Sequence, residues 1–184
     1  MKYMRKSTTE ADQPFQLNVL SLRLPRLIEA HPRGQQVLRI LTTQTRPLWP
    51  ETGIEVPMVM LSSKMGAALR SAHNAGYVVR SLENAERMLA TEERGLGLVD
   101  RHSGVPRGVR VSRLLVLADD GAERFYRQVE RLLRCYGPRV LAVRLDADAD
   151  ALGKLLFGTN GRARLLMLNH KEAVSTFLLS MTDP

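Results

Sequence analysis

The clearest pattern of apolar and polar positions lies in the last third of the chain. Three near-continuous apolar runs are typical of strands that are covered on both faces, at residues 113–118, 140–145 and 164–168. The segments after these runs carry their apolar residues on one helical stripe, which predicts helices over residues 121–136, 151–157 and 171–180. Strands joined by helices predict an α/β fold with parallel strand pairing.

A second helix–strand–helix pattern begins near residue 62. Ser62 or Ser63 can cap a helix over residues 64–74, and residues 77–80 form a short apolar run. Ser81 can then cap a helix over residues 82–92. Residues 94–112 are rich in glycine and contain a proline, which predicts a long loop or insertion. Such long loops are usually functional or disordered.

The first 57 residues have a different character. Five prolines punctuate residues 25–57. Residues 15–24 alternate well enough for a strand, although a short helix also fits, and residues 35–43 fit a short helix. We therefore interpret residues 1–57 as an irregular, basic N-terminal extension, with a small separate domain as the alternative. Residues 58–184 then form the α/β domain, with an insertion at about 94–112.

The charge balance narrows the classes of partner. The chain has 27 basic and 19 acidic residues, a net charge of +8 and a pI near 10.2. The excess is +3 in residues 1–60, +4 in residues 61–113 and +1 in residues 114–184. A basic protein favours a polyanion, either nucleic acid or an anionic membrane surface. No apolar run approaches the roughly 18 residues of a spanning helix, so we expect no membrane span.

Residues that could carry catalysis are few and dispersed. Asp119 and Asp120 follow a predicted strand, where α/β folds tend to bind ligands. Acids there are also ordinary helix caps, and we expect Asp120 to cap the helix over residues 121–136. Asp146, Asp148 and Asp150 could hold a magnesium ion if they share one strand face; the alternative is a solvated strand end with Asp150 as a helix cap. The histidines show no metal-ligand or triad spacing, and no phosphate-binding glycine loop is present. We expect no cofactor and no enzymatic activity.

The single cysteine gives a weak indication of compartment. Cys135 cannot form an internal disulfide, which suits a reducing environment. Its place on a helix next to Leu132 predicts buried packing rather than nucleophilic chemistry.

The order of several motifs carries further information. Ala72-His73-Asn74-Ala75-Gly76 precedes the short strand and the 83–89 helix, RLLVLADD occupies residues 113–120, and LGKLLFG occupies residues 152–158. In this order the motifs resemble the kink-turn-binding ribosomal protein superfamily, which includes box C/D snoRNP core proteins and the C-terminal domains of pelota and the eukaryotic release factor. The resemblance implies a three-layer α/β/α sandwich around a mixed four-stranded sheet.

The resemblance also implies where RNA would bind. The family holds RNA at the amino-terminal end of its second helix, with the pattern Gly-x-Asn-Glu-x-x-Lys, and with the loop before its last strand. The corresponding residues 81–87 read SLENAER, so a basic residue, Arg87, stands where the family pattern has its lysine. The loop over residues 158–164 reads GTNGRAR, with glycine for close approach and arginine for phosphate.

Together these observations predict a non-catalytic, RNA-binding structural component of a ribonucleoprotein, most readily a ribosomal protein. Its partners would be structured RNA, such as ribosomal RNA, and neighbouring proteins of the particle, in the cytoplasm or in a mitochondrial ribosome. The alternatives are a protein-interaction module that docks through its proline-rich N-terminal segment, and a small metal-dependent α/β enzyme. The candidate RNA contacts are Arg80, Ser81, Asn84, Arg87, Arg101, Arg107, Arg110, Arg113, Gly158, Asn160, Gly161, Arg162 and Arg164.

Overall fold

The computed structural model describes residues 22–104 and 109–183, which contain seven helices and six strands. The helices are α1 (Arg26–Glu29), α2 (Gly34–Thr43), α3 (Ser63–Asn74), α4 (Leu82–Ser103), α5 (Glu123–Tyr136), α6 (Ala149–Phe157) and α7 (Lys171–Ser180). The strands are β1 (Thr45–Pro47), β2 (Glu55–Met60), β3 (Val78–Arg80), β4 (Arg113–Leu117), β5 (Val140–Asp146) and β6 (Leu165–Leu168).

The six strands form one open mixed sheet in the order β1-β2-β5-β4-β6-β3. Strands β2, β5 and β4 are parallel, whereas β6 is antiparallel to both β4 and β3. Strand β4 is central, with Leu114 opposite Leu141 of β5 on one side and Leu168 of β6 on the other. The expected parallel pairing therefore holds for β4 and β5, which α5 connects, and is wrong for β6.

Helices cover both faces of the sheet. Leu114 and Val116 belong to the core that also contains residues of α2, α3, α6 and α7. Leu115 and Leu117 belong to a second core, formed with residues of α4 and α5. Because successive strand residues point to opposite faces, the fully buried residues Leu114–Leu117 of β4 require an apolar layer on each side. None of the helices within the described ranges is both long and apolar enough to cross a bilayer.

The α/β class is confirmed, but the expected sheet of four strands is wrong. The four expected strands are β3, β4, β5 and β6, and they lie side by side in the sheet. Strands β1 and β2 extend it from the segment interpreted as irregular. Prolines are tolerated there because Glu55–Pro57 pairs with the short edge strand β1, while Met58–Met60 pairs with β5.

The N-terminal segment, where it is described, packs on the rest of the chain. Ile28 of α1 and Val37 of α2 are fully buried in the core that α3 and α7 share. The expected helix over residues 35–43 is present as α2, and the expected boundary after residue 57 falls inside β2. The strand expected over residues 15–24 lies outside the described residues, except for its last three positions.

Helix α4 is much longer than the pattern suggested, because it continues from Glu92 through the expected loop to Ser103. Glu92 accepts hydrogen bonds from Arg113 at 2.9 Å and Arg139 at 2.9 Å, which fasten the middle of α4 to the sheet. A glycine inside a helix destabilises it by about 1 kcal/mol relative to alanine. The hydrogen bonds to Glu92 can offset this cost at Gly95 and Gly97. The helix ends at Gly104, which has a left-handed φ of 61°.

Polar caps were predicted correctly at two helices and wrongly at two others. Ser62 and Ser81 accept hydrogen bonds from Met65 and Asn84 amides, as expected. Helix α6 is capped by Asp148 instead of Asp150, since it begins two residues earlier. Asp120 does not cap α5 but accepts a hydrogen bond from the Ala149 amide at 2.9 Å, which links the ends of β4 and β5.

The expected burial of Cys135 is also wrong, because this residue is exposed. The buried stripe of α5 consists of Tyr126, Val129, Leu132 and Leu133. Each residue advances about 100° around the helix axis. Cys135 is two residues beyond Leu133, so its side chain points away from the buried stripe and into solvent.

Glu130 of α5 fastens the loop between β1 and β2 to the helix. Its carboxylate accepts hydrogen bonds from Trp49 Nε1, from Thr52 Oγ1 at 3.0 Å and from Arg134 at 2.6 Å. Burial raises the pKa of Glu130, but the hydrogen bonds from Arg134, Trp49 and Thr52 outweigh burial, and the net effect lowers the pKa below its ordinary value of 4.5.

We predict that Glu130→Gln lowers the free energy of unfolding by about 1–3 kcal/mol at neutral pH, because charge-assisted hydrogen bonds are lost. Since the pKa is lowered on folding, the contribution is present above the ordinary carboxyl range and disappears as the pH falls through the lowered pKa. Urea denaturation over a pH series measures it. Glu123→Gln, at an exposed pair with Arg127, is the control and should change stability by less than about 1 kcal/mol. If the difference in unfolding free energy between Glu130→Gln and the unsubstituted protein stays the same at acid pH, the ionised Glu130 carboxylate is not its source.

Candidate functional site

A cavity of about 580 Å³ lies between the first turns of α4 and α5. Strands β3 and β4 are both antiparallel to β6, so the carboxyl ends of β3 and β4 lie beside the amino end of β6. The cavity is lined by Arg80, Ser81, Leu82, Glu83, Glu86, Ala122, Arg124, Phe125, Gln128, Arg162, Ala163, Arg164 and Leu165.

Four arginines reach this cavity from three separate segments. Arg80 is the last residue of β3, Arg124 lies in the first turn of α5, and Arg162 and Arg164 belong to the loop before β6. Their convergence depends on the sheet order, because β3 and β6 are neighbours although they are far apart in sequence. The cavity is therefore a product of the tertiary fold.

Two of the four arginines already have partners. The Arg80 guanidinium stacks 4.5 Å from the centre of the Phe157 ring and donates a hydrogen bond to the Arg162 carbonyl at 2.6 Å. Arg162 lies 3.6 Å from Asp120 and 3.4 Å from Asp150. These contacts hold the loop before β6 against the end of β3.

The other two arginines are available for a ligand. Arg124 and Arg164 are exposed and have neither an ion pair nor a hydrogen bond from their side chains within residues 22–104 and 109–183. An unpaired guanidinium offers five donors in a planar fork that matches phosphate or carboxylate oxygens. The part of the cavity between α5 and the β6 loop is thus suited to an anion.

Two acidic side chains of α4 also line the cavity. They are Glu83 and Glu86, and Glu86 pairs with Arg131 at 3.2 Å. Negative charge on this α4 wall disfavours an anion near the start of α4. Within the described residues, the cavity therefore combines two unpaired arginines, on α5 and in the loop before β6, with one unpaired carboxylate, Glu83 of α4.

The two helix ends at the cavity differ in their caps. Ser81 caps α4 through its hydroxyl but has a φ of 80° and a ψ of 152°, a backbone conformation that strongly favours glycine. Helix α5, whose N-cap residue is Ala122, has no side-chain cap. The Phe125 amide donates to the Ala122 carbonyl at 2.9 Å, while the Glu123 and Arg124 amides receive no side-chain cap.

The loop over residues 158–164 depends on a close contact between two backbones. A Cβ atom on Gly153 would lie 2.3 Å from the Arg162 Cα, and one on Gly161 would lie 2.4 Å from the Gly153 carbonyl oxygen. Both positions therefore require glycine. This contact seats the loop against α6 and fixes the backbone that carries Arg162.

A second cavity of about 620 Å³ lies on the other side of α5, and one of its two arginines, Arg144, is paired with an acid. Arg144 pairs with Asp119 at 2.6 Å and stacks 4.5 Å from the centre of the Tyr126 ring. Burial raises the pKa of Tyr126, whose hydroxyl donates to the Ala118 carbonyl at 2.8 Å. Asp119 therefore neutralises Arg144, although Arg144 Nε stays buried without a hydrogen-bond partner among the described residues. Arg46 is the second arginine of this cavity.

The structure brings together only part of the predicted RNA-binding set. Arg80, Ser81, Arg162 and Arg164 line the first cavity. Asn84 and Arg87 are exposed on α4 close by, with the Asn84 side chain donating to the Arg80 carbonyl at 3.0 Å. Gly158 and Asn160 are exposed in the neighbouring loop, whereas Gly161 is buried.

The remaining predicted contacts lie elsewhere. Arg110 pairs with Glu29 at 2.5 Å, and Arg113 pairs with Glu92. Both arginines lie near the start of β4, at the opposite end of this strand from the cavity. Arg101 belongs to the last turn of α4, and Arg107 lies outside the described residues. Arg110 and Arg113 therefore do not join the cavity.

The acids considered for metal binding do not form a row on one strand face. Strand β5 ends at Asp146, Asp148 caps α6, and Asp150 lies within that helix. Within the described ranges, no group of three or more His, Cys, Asp or Glu side chains is arranged to hold a metal ion.

Sequence reasoning missed three contributors from α5, namely Arg124, Phe125 and Gln128. One signal was available: α5 follows β4 as α4 follows β3, and the first turn after a buried strand often faces a ligand site. The position of α5 beside α4 could not be read from the same pattern.

Comparisons with known proteins add little to this geometry. No family model matches the sequence, and no curated protein matches it significantly. Among solved structures, the chain is similar to a protein of unknown function from Bacillus halodurans, with 15% identity and a TM-score of 0.42. That match covers 67% of this chain and 100% of the other.

We predict that Gly153→Ala lowers the free energy of unfolding by about 1–3 kcal/mol, because its methyl group would meet the backbone of the 158–164 loop. Gly95→Ala is the matched control, since nothing lies within 4 Å of the added Cβ. In a helix it should stabilise the protein by about 0.5–1 kcal/mol. Chemical denaturation measures both, and equal effects would refute the close-contact argument.

We also predict opposite effects for two substitutions of Ser81. Glycine relieves the strained backbone at the cost of a few tenths of a kcal/mol for the cap, so Ser81→Gly should stabilise by about 1 kcal/mol. Ser81→Ala keeps the strain and loses the cap, so it should destabilise by about 1 kcal/mol. Ser62 is the control cap, because its φ of −86° is unstrained. Thermal unfolding that shows no gain for Ser81→Gly over Ser62→Gly would argue against strain.

Proposed function

We propose that this protein is a non-catalytic, RNA-binding component of a ribonucleoprotein. The observation that carries the proposal is the cavity between α4 and α5, where four arginines converge and two of them are unpaired. Phosphate contacts by arginine supply much of the affinity of proteins for RNA. The net charge of +8 would add a long-range attraction for the same polyanion.

The family resemblance supports the same proposal. We propose that β5, β4, β6 and β3 correspond to the four-stranded sheet of the kink-turn-binding superfamily, with β1 and β2 added at one edge. Ser81 occupies the position of the family's glycine, and its positive φ is the conformation for which glycine is favoured. The loop before the last strand of that family corresponds here to the loop that carries Arg162 and Arg164.

The alternatives receive less support. A metal-dependent enzyme would need a cluster of ligands, and four of the five acids considered for that role accept capping hydrogen bonds or form ion pairs, namely Asp119, Asp120, Asp148 and Asp150. Docking to neighbouring proteins through the N-terminal segment stays a prediction. The segment is attached to the core by Ile28 and Val37, so the surface it would offer is the exposed side of α1 and α2.

We predict that Arg124→Gln and Arg164→Gln each weaken binding of a fluorescently labelled RNA hairpin by about tenfold, because a charged hydrogen bond to phosphate is worth about 1.5 kcal/mol. Each should also reduce the slope of log affinity against log salt by about one ion. Fluorescence anisotropy across a salt series measures both quantities.

Arg70→Gln provides the control. Arg70 is exposed on α3, which packs on the other face of the sheet, and its loss removes the same charge. It should change affinity by less than about threefold, as expected for a long-range charge effect that is screened by salt. Binding that is negligible at low salt, or equally sensitive to Arg70→Gln and Arg124→Gln, would count against the proposed interface.

A further inference from the structure

We infer that the cavity between α4 and α5 binds the phosphorylated end of an RNA strand, in preference to a phosphate within the strand. This inference rests on the proposed function and specifies the part of the RNA that the site recognises.

The shape of the cavity suits a single nucleotide. A volume of about 580 Å³ falls within the range of roughly 300–1,000 Å³ that is typical of small-molecule sites. The arginines surround this concavity from β3, α5 and the loop before β6. A protein that follows a nucleic-acid backbone generally spreads its cations along a groove instead.

The unpaired charge matches a terminal phosphate. A phosphate monoester carries about −1.5 to −2 charges near neutral pH, whereas a phosphodiester carries one. Arg80 is held by the Phe157 ring and a backbone carbonyl, and Arg162 is paired with two acids. Within the described residues, the guanidinium groups of the cavity that have no side-chain partner are therefore those of Arg124 and Arg164. Two guanidinium groups can neutralise a dianion and together offer donors for all three terminal oxygens.

The acidic wall distinguishes an end from an internal segment. A strand that passed through the cavity would carry a phosphodiester on each side of the bound nucleotide. One of these would then approach Glu83 of α4, which has no ion pair within the described residues, and Glu86, whose charge Arg131 offsets in part. Repulsion from Glu83 disfavours passage, whereas a strand that ends in the cavity leaves only on the arginine side.

Apolar groups provide the remaining contact surface. Leu82, Phe125, Ala163 and Leu165 line the cavity together with the charged residues. The ring of Phe125 is half-buried, and aromatic rings of this kind are sequence-tolerant platforms for a base. The terminal base and ribose would therefore lie on this apolar surface, while the phosphate faces Arg124 and Arg164.

The test uses the full-length protein and three RNA oligonucleotides of one sequence, with a 5′-phosphate, with a 3′-phosphate, or with hydroxyl groups at both ends. We expect at least one phosphorylated form to bind about tenfold more tightly than the hydroxyl form. The preference should disappear in Arg124→Gln and Arg164→Gln and remain in Arg70→Gln. Thermal unfolding of each variant checks that the fold is intact. Inorganic phosphate is titrated as a competitor in every case.

The outcomes separate this inference from the proposed function. Equal binding of all three oligonucleotides, lost in Arg124→Gln, would overturn terminal recognition and leave RNA binding in place. Failure of every oligonucleotide to bind at low salt would overturn both. Binding of inorganic phosphate without any oligonucleotide would assign the cavity to free phosphate and overturn the inference. A preference for phosphorylated RNA that survives Arg124→Gln and Arg164→Gln would place recognition elsewhere and also overturn it.

Discussion

The burial of β4 on both faces is the constraint on which the rest of the structure depends. Residues Leu114 to Ala118 have no exposed surface, and each pair of neighbours points to opposite sides of the sheet. Either face left uncovered would expose a contiguous patch of leucine and valine to water, at about 25 cal/mol for each Å². Helices α4 and α5 cover one of these faces. They follow β3 and β4, which run in the same direction, so both helices begin beside the carboxyl ends of these strands. The geometry of the arginine cavity is thus a consequence of how the core is closed.

The same architecture divides the arginines into two groups. Arg113 and Arg139 are held by Glu92, and Arg144 is held by Asp119, all as partly buried ion pairs that join helices and loops to the sheet. Removing one partner of such a pair would leave an uncompensated charge, so these side chains are committed to the fold. Arg124 and Arg164 are not committed in this way. The net charge of the chain therefore overstates the positive charge that a polyanion can reach, and the location of the unpaired groups is more informative than their number.

The elements that the sequence predicted correctly are those whose pattern lies in neighbouring residues, and the elements it missed depend on contacts between distant parts of the chain. The apolar run at β4 and the amphipathic stripe of α5 depend on neighbouring residues, and both elements were found within two residues of their true ends. Strand β2 was missed because Pro57 argues against a central strand, and only the tertiary arrangement shows that β1 and β5 flank different halves of it. The predicted α4 was too short because Gly95 and Gly97 weaken a helix, while the anchors on Glu92 are distant in sequence, with Arg113 in β4 and Arg139 just before β5. Arg80 and Arg164 were identified as candidates, but their meeting with Arg124 depends on long-range strand order.

The edges of the sheet have a consequence for how the protein behaves at high concentration. The outermost strands, β1 and β3, have only three residues each, and β1 ends in Pro47, which has no amide hydrogen to donate. A foreign strand would find few backbone groups to pair with on either side, and short or proline-containing edges are a common protection against such pairing. The long apolar strands β4 and β5, which would aggregate most readily, are both internal. The order of the strands thus protects the chain from edge-to-edge association as well as forming its core.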